Sequence, residues 1–539
     1  MTNPYFTKLS SRASATNAPA FGASSGRAGL QARVTDTLYE ESRASARRHP
    51  GLKPPVINSP ADAGLKARST RARQPANFFA TRILPVALLL LALCACKVGP
   101  NYKRPALNVP DQYRSPTLPL PPPSGEQFAE MKWWSVFQDE TLQALIKEAL
   151  ANNYDMKIAA TRILQASANL GITRANQFPQ VNGSFGITNE RNQFYLNNPT
   201  FDIASLSLSY IVDFWGQYRR ATEAARATLL ATEYGQAVVQ VTLISSVANN
   251  YFLLRQYDAQ LVYSQDTVKT DQEILKLNQI KFHGGESAIT DVYQAETLVQ
   301  QAEAEVISLN QAIAQTENNI SILLGKNPAD VPRGRPLVEQ PHLPEVPPGL
   351  PSALLQRRAD VRRSEENLVA ANANVGVAKA AFFPQISLTG VFGAQSTAIT
   401  SFLQGPATFW SLGGQAVQPI FQGGRIRSNY RLAWAQRDEA ELIYKQTVLQ
   451  AFGDVSNSLV GYDQSRLFRQ KIEEQTHTYK QMADLANVRF QGGVTSFLEV
   501  QYYEQQYFTS ALNLEQAWYS ELQNYVQLYQ ALGGGWEQK

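Results

Sequence analysis

The sequence predicts a mixed α and β chain in which one architectural unit is used twice, each copy combining long helical rods with a pair of short strands. Three observations predict this. The first is a recurrence at long range: Lys281-Phe282-His283-Gly284-Gly285 returns as Arg489-Phe490-Gln491-Gly492-Gly493, and an acid and a valine follow at the same offsets as Asp291-Val292 and Glu499-Val500. Phe178-Pro179-Gln180 likewise returns as Phe383-Pro384-Gln385, Phe214-Trp215-Gly216 as Phe421-Gln422-Gly423, and Leu324-Gly325 as Leu532-Gly533. A shift of about 208 residues is far beyond the 20–50 of a solenoid repeat, so it marks a duplicated unit. The second is a pair of long stretches with helical apolar periodicity. The third is a set of segments of about ten residues in which apolar and small polar residues alternate.

Taken in order, residues 1–80 are rich in Ser, Ala, Arg, Thr and Pro without a sustained apolar period, a composition that predicts disorder. Residues 1–82 hold thirteen Lys/Arg against four Asp/Glu, so the remaining 36 Lys/Arg and 41 Asp/Glu give the rest a net charge of −5. The main body therefore offers no basic surface, and no nucleic-acid partner is expected. Residues 81–95 pair Arg82 with an apolar run too short for a membrane-spanning helix, which needs about 20 residues. A basic flank, a short apolar core and small residues after it make an export signal. Leu93-Cys94-Ala95-Cys96 further resembles the processing site of bacterial lipoproteins, with Cys96 as the acylated residue. The plainer alternative is an ordinary signal peptide with an incidental cysteine. Lys97, rather than Asp, after that cysteine implies the outer membrane by the same resemblance. Because a signal that begins some eighty residues in is abnormal, the expectation is an over-extended gene start, with a genuine cytoplasmic extension as the alternative. Cys94 lies in the signal and Cys96 is the acylated residue, so the mature chain has no disulfide.

Residues 96–138 carry Pro100, Pro105, Pro110, Pro116, Pro119 and Pro121-Pro122-Pro123, and should lie extended along a surface. Repeat one is placed at residues 139–335 and repeat two at 336–539, joined by the Pro-rich stretch Pro328–Pro351. A helix is expected from Thr141 to about Ala175, and another from about Tyr218 to Lys281. In the latter Leu230, Tyr234, Ala237, Val241, Ile244, Ala248 and Tyr251 form a coiled-coil seam. About 64 residues at 1.5 Å each predict a rod of about 95 Å. A shorter return helix runs to about Leu324. The second copy should give a helix near Ala353–Ala381, a rod near Arg425–Arg489 and a return helix to about Leu532. In the second rod Ala440, Tyr444, Val448, Ala451, Val455, Leu459 and Tyr462 follow a spacing nearer eleven residues, which predicts gentle supercoiling.

Four strand segments are expected: Gln180–Arg191, Ser205–Asp213, Gln385–Gln395 and Thr408–Phe421. A soluble half-buried hairpin alternates in the same way as a transmembrane β-strand. Behind an export signal and beside rods of this length, the membrane reading is favoured, with one face to lipid and one to water. Four strands cannot close a barrel, and an open edge in lipid is prohibitive, so the chain must oligomerise.

No catalytic constellation is visible, so no enzyme and no cofactor are expected. His49, His283, His342 and His477 share no metal-ligand spacing, and Gly533-Gly534-Gly535 lacks the lysine of a phosphate loop.

The stretch Cys96-Lys97-Val98-Gly99-Pro100-Asn101-Tyr102-Lys103-Arg104-Pro105, then Trp133-Trp134-Ser135-Val136-Phe137 and Ala149-Leu150-Ala151-Asn152-Asn153, resembles the outer-membrane efflux protein family (TolC-like), in its OprM- and NodT-type lipoprotein branch. Leu354-Leu355-Gln356-Arg357-Arg358-Ala359-Asp360-Val361-Arg362 and Phe383-Pro384-Gln385-Ile386-Ser387-Leu388 carry the resemblance into the second copy, with Ala359 where the family usually has proline. The resemblance covers residue 96 to about 535. It implies a homotrimer in which each protomer gives four strands to a transmembrane β-barrel continued by a long periplasmic α-helical barrel. It also implies a periplasmic adaptor and a proton-driven inner-membrane pump as partners, and passive export of drugs or toxic small molecules. The exit duct of a type I protein secretion system, and a structural coiled-coil lipoprotein without a pore, are the competing readings.

Within that resemblance Gly285 and Gly493 match tip glycines that meet the adaptor, although plain helix-ending chemistry already requires one glycine of each pair. Asp291 and Glu499 match acids at the pore entrance, against the simpler reading of a solvated helix face. In a trimer each would form a ring of three carboxylates, favouring cations and raising those pKa values by mutual repulsion. Phe490 stands where TolC has a gate tyrosine, Thr495 where it has an arginine and Tyr502 where it has a second acid. A gate of Phe282 and Phe490 packing with acid rings is therefore expected instead of the polar lock.

Overall fold

The computed structural model describes residues 97–110, 132–189, 200–340, 351–397, 400, 402 and 407–536. The expectations for residues 1–80, for the signal at 81–95 and for Cys96 lie outside them. The chain is mostly helical with one small antiparallel sheet. Its elements are α1 (Trp133–Val136), α2 (Glu140–Asn152), α3 (Tyr154–Ala175), β1 (Gln180–Asn189), β2 (Thr200–Val212), α4 (Gln217–His283) and α5 (Ile289–Leu323). Then come α6 (Pro351–Arg357), α7 (Ala359–Ala380), β3 (Gln385–Ser396), β4 (Thr408–Val417), α8 (Arg425–Gln491) and α9 (Phe497–Ala531). The two rods α4 and α8 both have 67 residues, about 100 Å of helix, and the return helices α5 and α9 both have 35.

The helix expected to run unbroken from Thr141 divides at Asn153. Its side chain accepts from the N–H groups of Asp155 and Met156, capping α3, while its own amide donates to Leu323 O at 2.9 Å. Gly325 leaves no room to shift that corner, since a Cβ there would stand 2.6 Å from Asn152 O. The helix expected near Ala353–Ala381 divides too, between α6 and α7. Ala359 is the first residue of α7. That is the one helical position where proline is favoured, which explains how alanine can stand in for it.

The seam of α8 is as expected, with Tyr444, Val448, Ala451, Val455 and Leu459 buried. On α4 the seam holds only from Val241 onward. Upstream, Leu230, Tyr234 and Ala237 are half-buried, and the buried stripe is Ala224, Ala227 and Ala231. There α4 packs closely on α7, and small residues permit the approach. The main core gathers α2, α4, α8 and α9 around the fully buried rings of Tyr251, Tyr444, Tyr525 and Tyr529.

Asp139 ties this core together. Its carboxylate caps α2 through Thr141 N and Leu142 N, and also accepts from Tyr251 Oη at 2.7 Å, Arg335 N at 3.1 Å and Gln340 Nε2 at 3.0 Å. Burial works against the charge, but these hydrogen bonds prevail and hold its pKa below the usual value.

The described part of the proline-rich arm lies against α4 and α7. Val98 N donates to Trp215 O, Arg220 reaches Val98 O and Asn101 Oδ1, and Asn372 Nδ2 donates to Pro100 O. Farther on, Arg104 grips Glu365 with two nitrogens.

The sheet order is β1-β2-β3-β4, antiparallel throughout. β2 begins earlier than expected, because Thr200 pairs with Asn189 and Asp202 with Ser396. β4 stops at Val417, short of the expected Phe421, and Pro419 just beyond has no N–H to continue a ladder.

Candidate functional site

Two regions of this fold are candidate functional sites: the sheet, and the turns at the far ends of α4 and α8. The register puts Val181 opposite Leu208, Leu206 opposite Phe392, and Phe392 opposite Trp410. Strand alternation then places Val181, Phe185, Leu206, Leu208, Phe392, Trp410 and Leu412 on one face, and that face is bare: Trp410 is 72% and Leu412 78% exposed. The opposite face carries Asn182, Ser184, Ser205, Ser207, Thr389 and Ser411. A soluble hairpin would cover its apolar side with core, and among the described residues nothing covers this one. β1 and β4 each have a free edge in the sheet order.

At the other end the two glycine turns share one hydrogen-bond pattern. Gly285 N donates to Phe282 O and Glu286 N to Lys281 O; Gly493 N donates to Phe490 O and Val494 N to Arg489 O. These are Schellman caps, and they require φ of +77° at Gly285 and +70° at Gly493. No atom lies within 4 Å of where a Cβ would sit on either glycine. Backbone conformation alone therefore demands glycine within the chain, and both positions are open to approach from outside.

The two glycine turns differ in their side-chain contacts. Phe490 is half-buried against Phe497, ring centres 5.5 Å apart, on a small core of Ala295, Leu298, Ala486, Phe497 and Val500. The Lys281 ammonium covers the outer face of the Phe490 ring at 3.9 Å, a cation–π contact. Phe282 is 38% exposed and meets the ring of His283. Phe282 and Phe490 are thus not brought together within one chain. Glu499 is not a free acid: Arg489 Nη1 stands 2.9 Å from it and Thr495 Oγ1 donates to its other oxygen. Asp291 accepts from Ser287 Oγ at 2.6 Å. Lys281, Arg489 and Phe497 make these contacts, and the sequence reading assigned none of them a site role; Thr495 it noted only as a departure from TolC. The matched cations Lys281 and Arg489 were visible in the repeat, but nothing in the repeat distinguishes a ring contact from an ion pair.

Paired antiparallel rods that end in glycine-capped turns, joined to an open sheet with a bare apolar face, define a protein of the outer-membrane channel class. The chain belongs to the outer membrane efflux protein family, whose model matches residues 145–326 and 350–534. It is 36% identical over 465 residues to the toluene efflux pump outer membrane protein TtgI of Pseudomonas putida, covering 84% of this chain and 98% of that protein. It is 31% identical over 467 residues to the cation efflux system protein CusC of Escherichia coli, covering 85% and 99%. Among solved structures it resembles the Campylobacter jejuni CmeC outer membrane channel with a TM-score of 0.77 at 27% identity, covering 82% of this chain and 96% of that one. The family is one of transport ducts rather than enzymes, and the chain is an outer membrane protein extending into the periplasm.

Proposed function

We propose that three copies of this chain assemble into one channel, their four strands each closing a twelve-stranded barrel and their rods continuing it as a periplasmic helical barrel built from two copies of one unit. One observation carries this: a sheet with two free edges and a bare apolar face can lie in lipid only if other sheets satisfy its edges. The channel is the exit duct of a tripartite efflux system, taking drugs or toxic small molecules from a periplasmic adaptor and a proton-driven inner-membrane pump. Relatives named for toluene and for cations resemble this chain to a similar degree, which argues that the duct does not choose its cargo. Cys96 is read as the acylated first residue, with the barrel supplying most of the anchorage.

Gly285 and Gly493 are read as the adaptor-contact tip, and Phe282, Phe490, Asp291 and Glu499 as the gate. Within that gate Phe490 acts through packing, and Glu499 acts as half of an ion pair with Arg489.

The test is single-channel recording in planar bilayers together with mass measurement of the purified assembly. A conducting species with the mass of three acylated chains starting at Cys96 is expected. A conducting monomer, or a trimer that never conducts, overturns the reading.

A further inference from the structure

The stretch Lys97-Val98-Gly99-Pro100-Asn101 belongs neither to the tip nor to the sheet, yet the fold grips it. Arg220 on α4 is only 1% exposed and turns its guanidinium to this arm: Nη2 donates to Asn101 Oδ1 at 2.8 Å and Nε to Val98 O at 3.3 Å, while Nη1 meets Glu223. Gly99 sits directly on α7, where a Cβ would stand 2.5 Å from Gly376 Cα. A Cβ on Gly376 would in turn stand 2.9 Å from Arg220 Cγ. Gly99, Gly376 and Arg220 thus clamp the arm to α4 and α7 at a backbone separation that only glycine permits.

The clamp fixes where the arm starts. Val98 N donates to Trp215 O at 3.1 Å, and Lys97 Cα stands 3.2 Å from a Cβ placed on Gly216. Trp215 follows the end of β2, stacks on Phe383 with ring centres 4.6 Å apart, and donates to Pro384 O just before β3. Lys97 therefore stands at the foot of β2 and β3, where strand gives way to helix. In a barrel that foot is the periplasmic rim of the apolar band, flanked by aromatic rings.

Above the foot, the bare apolar face holds a recess of about 300 Å³, at the lower end of the range for small-molecule sites. Gly390 forms its floor between Leu208 and Leu412, and Leu206, Phe392 and Trp410 ring it. Ser207 and Ser411 also line it, but strand alternation turns their side chains to the other face. Leu208 lies four residues from Val212 at the end of β2, about 13 Å along the strand and about 10 Å in depth at the tilt of a barrel strand. One leaflet of hydrocarbon is about 15 Å deep, so an acyl chain rooted at the foot reaches the recess.

We propose that this recess is a binding site for a fatty-acyl chain, that its occupant is the chain carried by Cys96, and that the Arg220 clamp delivers it. The inference rests on the reading of Cys96 as the acylated first residue. An acyl chain attached one residue ahead of Lys97 is excluded from a water-filled lumen, so it runs along the apolar face that begins at the foot. The short tether holds it beside the recess at an effective concentration with which free lipid must compete. Gly99 and Arg220 are positioning residues here: they fix the root of the chain, and the recess receives its far part.

Photo-crosslinking in outer-membrane vesicles of the producing cells, read by mass spectrometry, tests this. With p-benzoylphenylalanine in place of Phe392, the expected adduct joins that position to the lipidated peptide that starts at Cys96. The same probe in place of Ile187, at the far end of the apolar face opposite Asp202, should capture phospholipid instead. Gly99→Ala, which drives the arm off Gly376, should lower the adduct at position 392 at least about fivefold. Should the probe at 392 prevent assembly, the probe in place of Trp410 decides the same question. A lipidated N-terminus captured equally at both ends of the face, or captured at neither 392 nor 410, overturns this inference alone. An adduct undiminished by Gly99→Ala overturns delivery by the clamp. An N-terminus without lipid overturns the inference together with the reading of Cys96.

Discussion

The Arg489 guanidinium lies 2.9 Å from the Glu499 carboxylate, directly across the turn that reverses the chain from α8 into α9. Both groups are partly exposed, so the pair contributes little to stability, on the order of 0.2–1 kcal/mol. Its larger consequence is electrostatic. A trimer would gather three such pairs around the axis, and their net charge would be far smaller than that of three bare carboxylates.

Opposite changes at this pair should accordingly move ion selectivity in opposite directions. Arg489→Met should unmask the Glu499 charges, strengthening cation selectivity and block by multivalent cations, whereas Glu499→Gln should weaken both. Reversal potentials under a salt gradient measure this. Equal shifts of the same sign in both variants would show that neither group faces the conduction path.

Phe490 is held by Phe497 and covered by Lys281, and removing its ring should cost roughly 1–3 kcal/mol of local packing. Phe490→Ala should raise resting conductance and sensitivity to large antibiotics. Phe282→Ala, which removes a more exposed ring, should do so less. Equal effects would mean that exposure, and not the tip core, governs closure.

Gly493 can be tested for docking separately from folding. Asparagine tolerates the left-handed conformation, and beyond the adjacent residues no atom of the chain lies within 4 Å of a Cβ placed there. Gly493→Asn should therefore assemble normally and melt within about 1 kcal/mol of the parent, yet lose efflux in cells because its side chain obstructs the adaptor. Full efflux by this variant would remove Gly493 from the docking surface.

Glu515 on α9 is 3% exposed, one of its oxygens has no hydrogen-bond partner, and burial pushes its pKa up to about 7. The folded protein therefore binds this proton more tightly than the unfolded chain does. Its stabilising contribution is complete below the ordinary value of 4.5 and is lost as pH rises through about 7. Glu515→Gln should match the parent near pH 4.5 and exceed it by about 3 kcal/mol at pH 8. Melting temperatures at the two pH values check this, and a gap independent of pH would contradict it.

What the sequence could determine was whatever is written locally. The alternation of Leu206, Leu208 and Tyr210 with serines predicts a two-faced strand, and glycine after a long helical run predicts a left-handed cap at Gly285 and Gly493. Both depend on neighbours only a few residues away along the chain. The near-equal rods also follow from the recurrence, since both helical stretches run between the same landmarks despite their different seam spacings.

The rest depends on contacts between residues far apart in the chain. Asn153 divides a helix whose apolar period runs through it, because its amide reaches Leu323. Asp139 looks like an ordinary helix cap until Tyr251, Arg335 and Gln340 converge on it from more than a hundred residues away. Lys281 and Arg489 hold matching places in the repeat, yet one covers a ring and the other meets an acid. Periodicity reports which side of an element is apolar. It does not report which element will be packed against that side, and only the packed neighbour decides whether a charge is paired, solvated or buried alone.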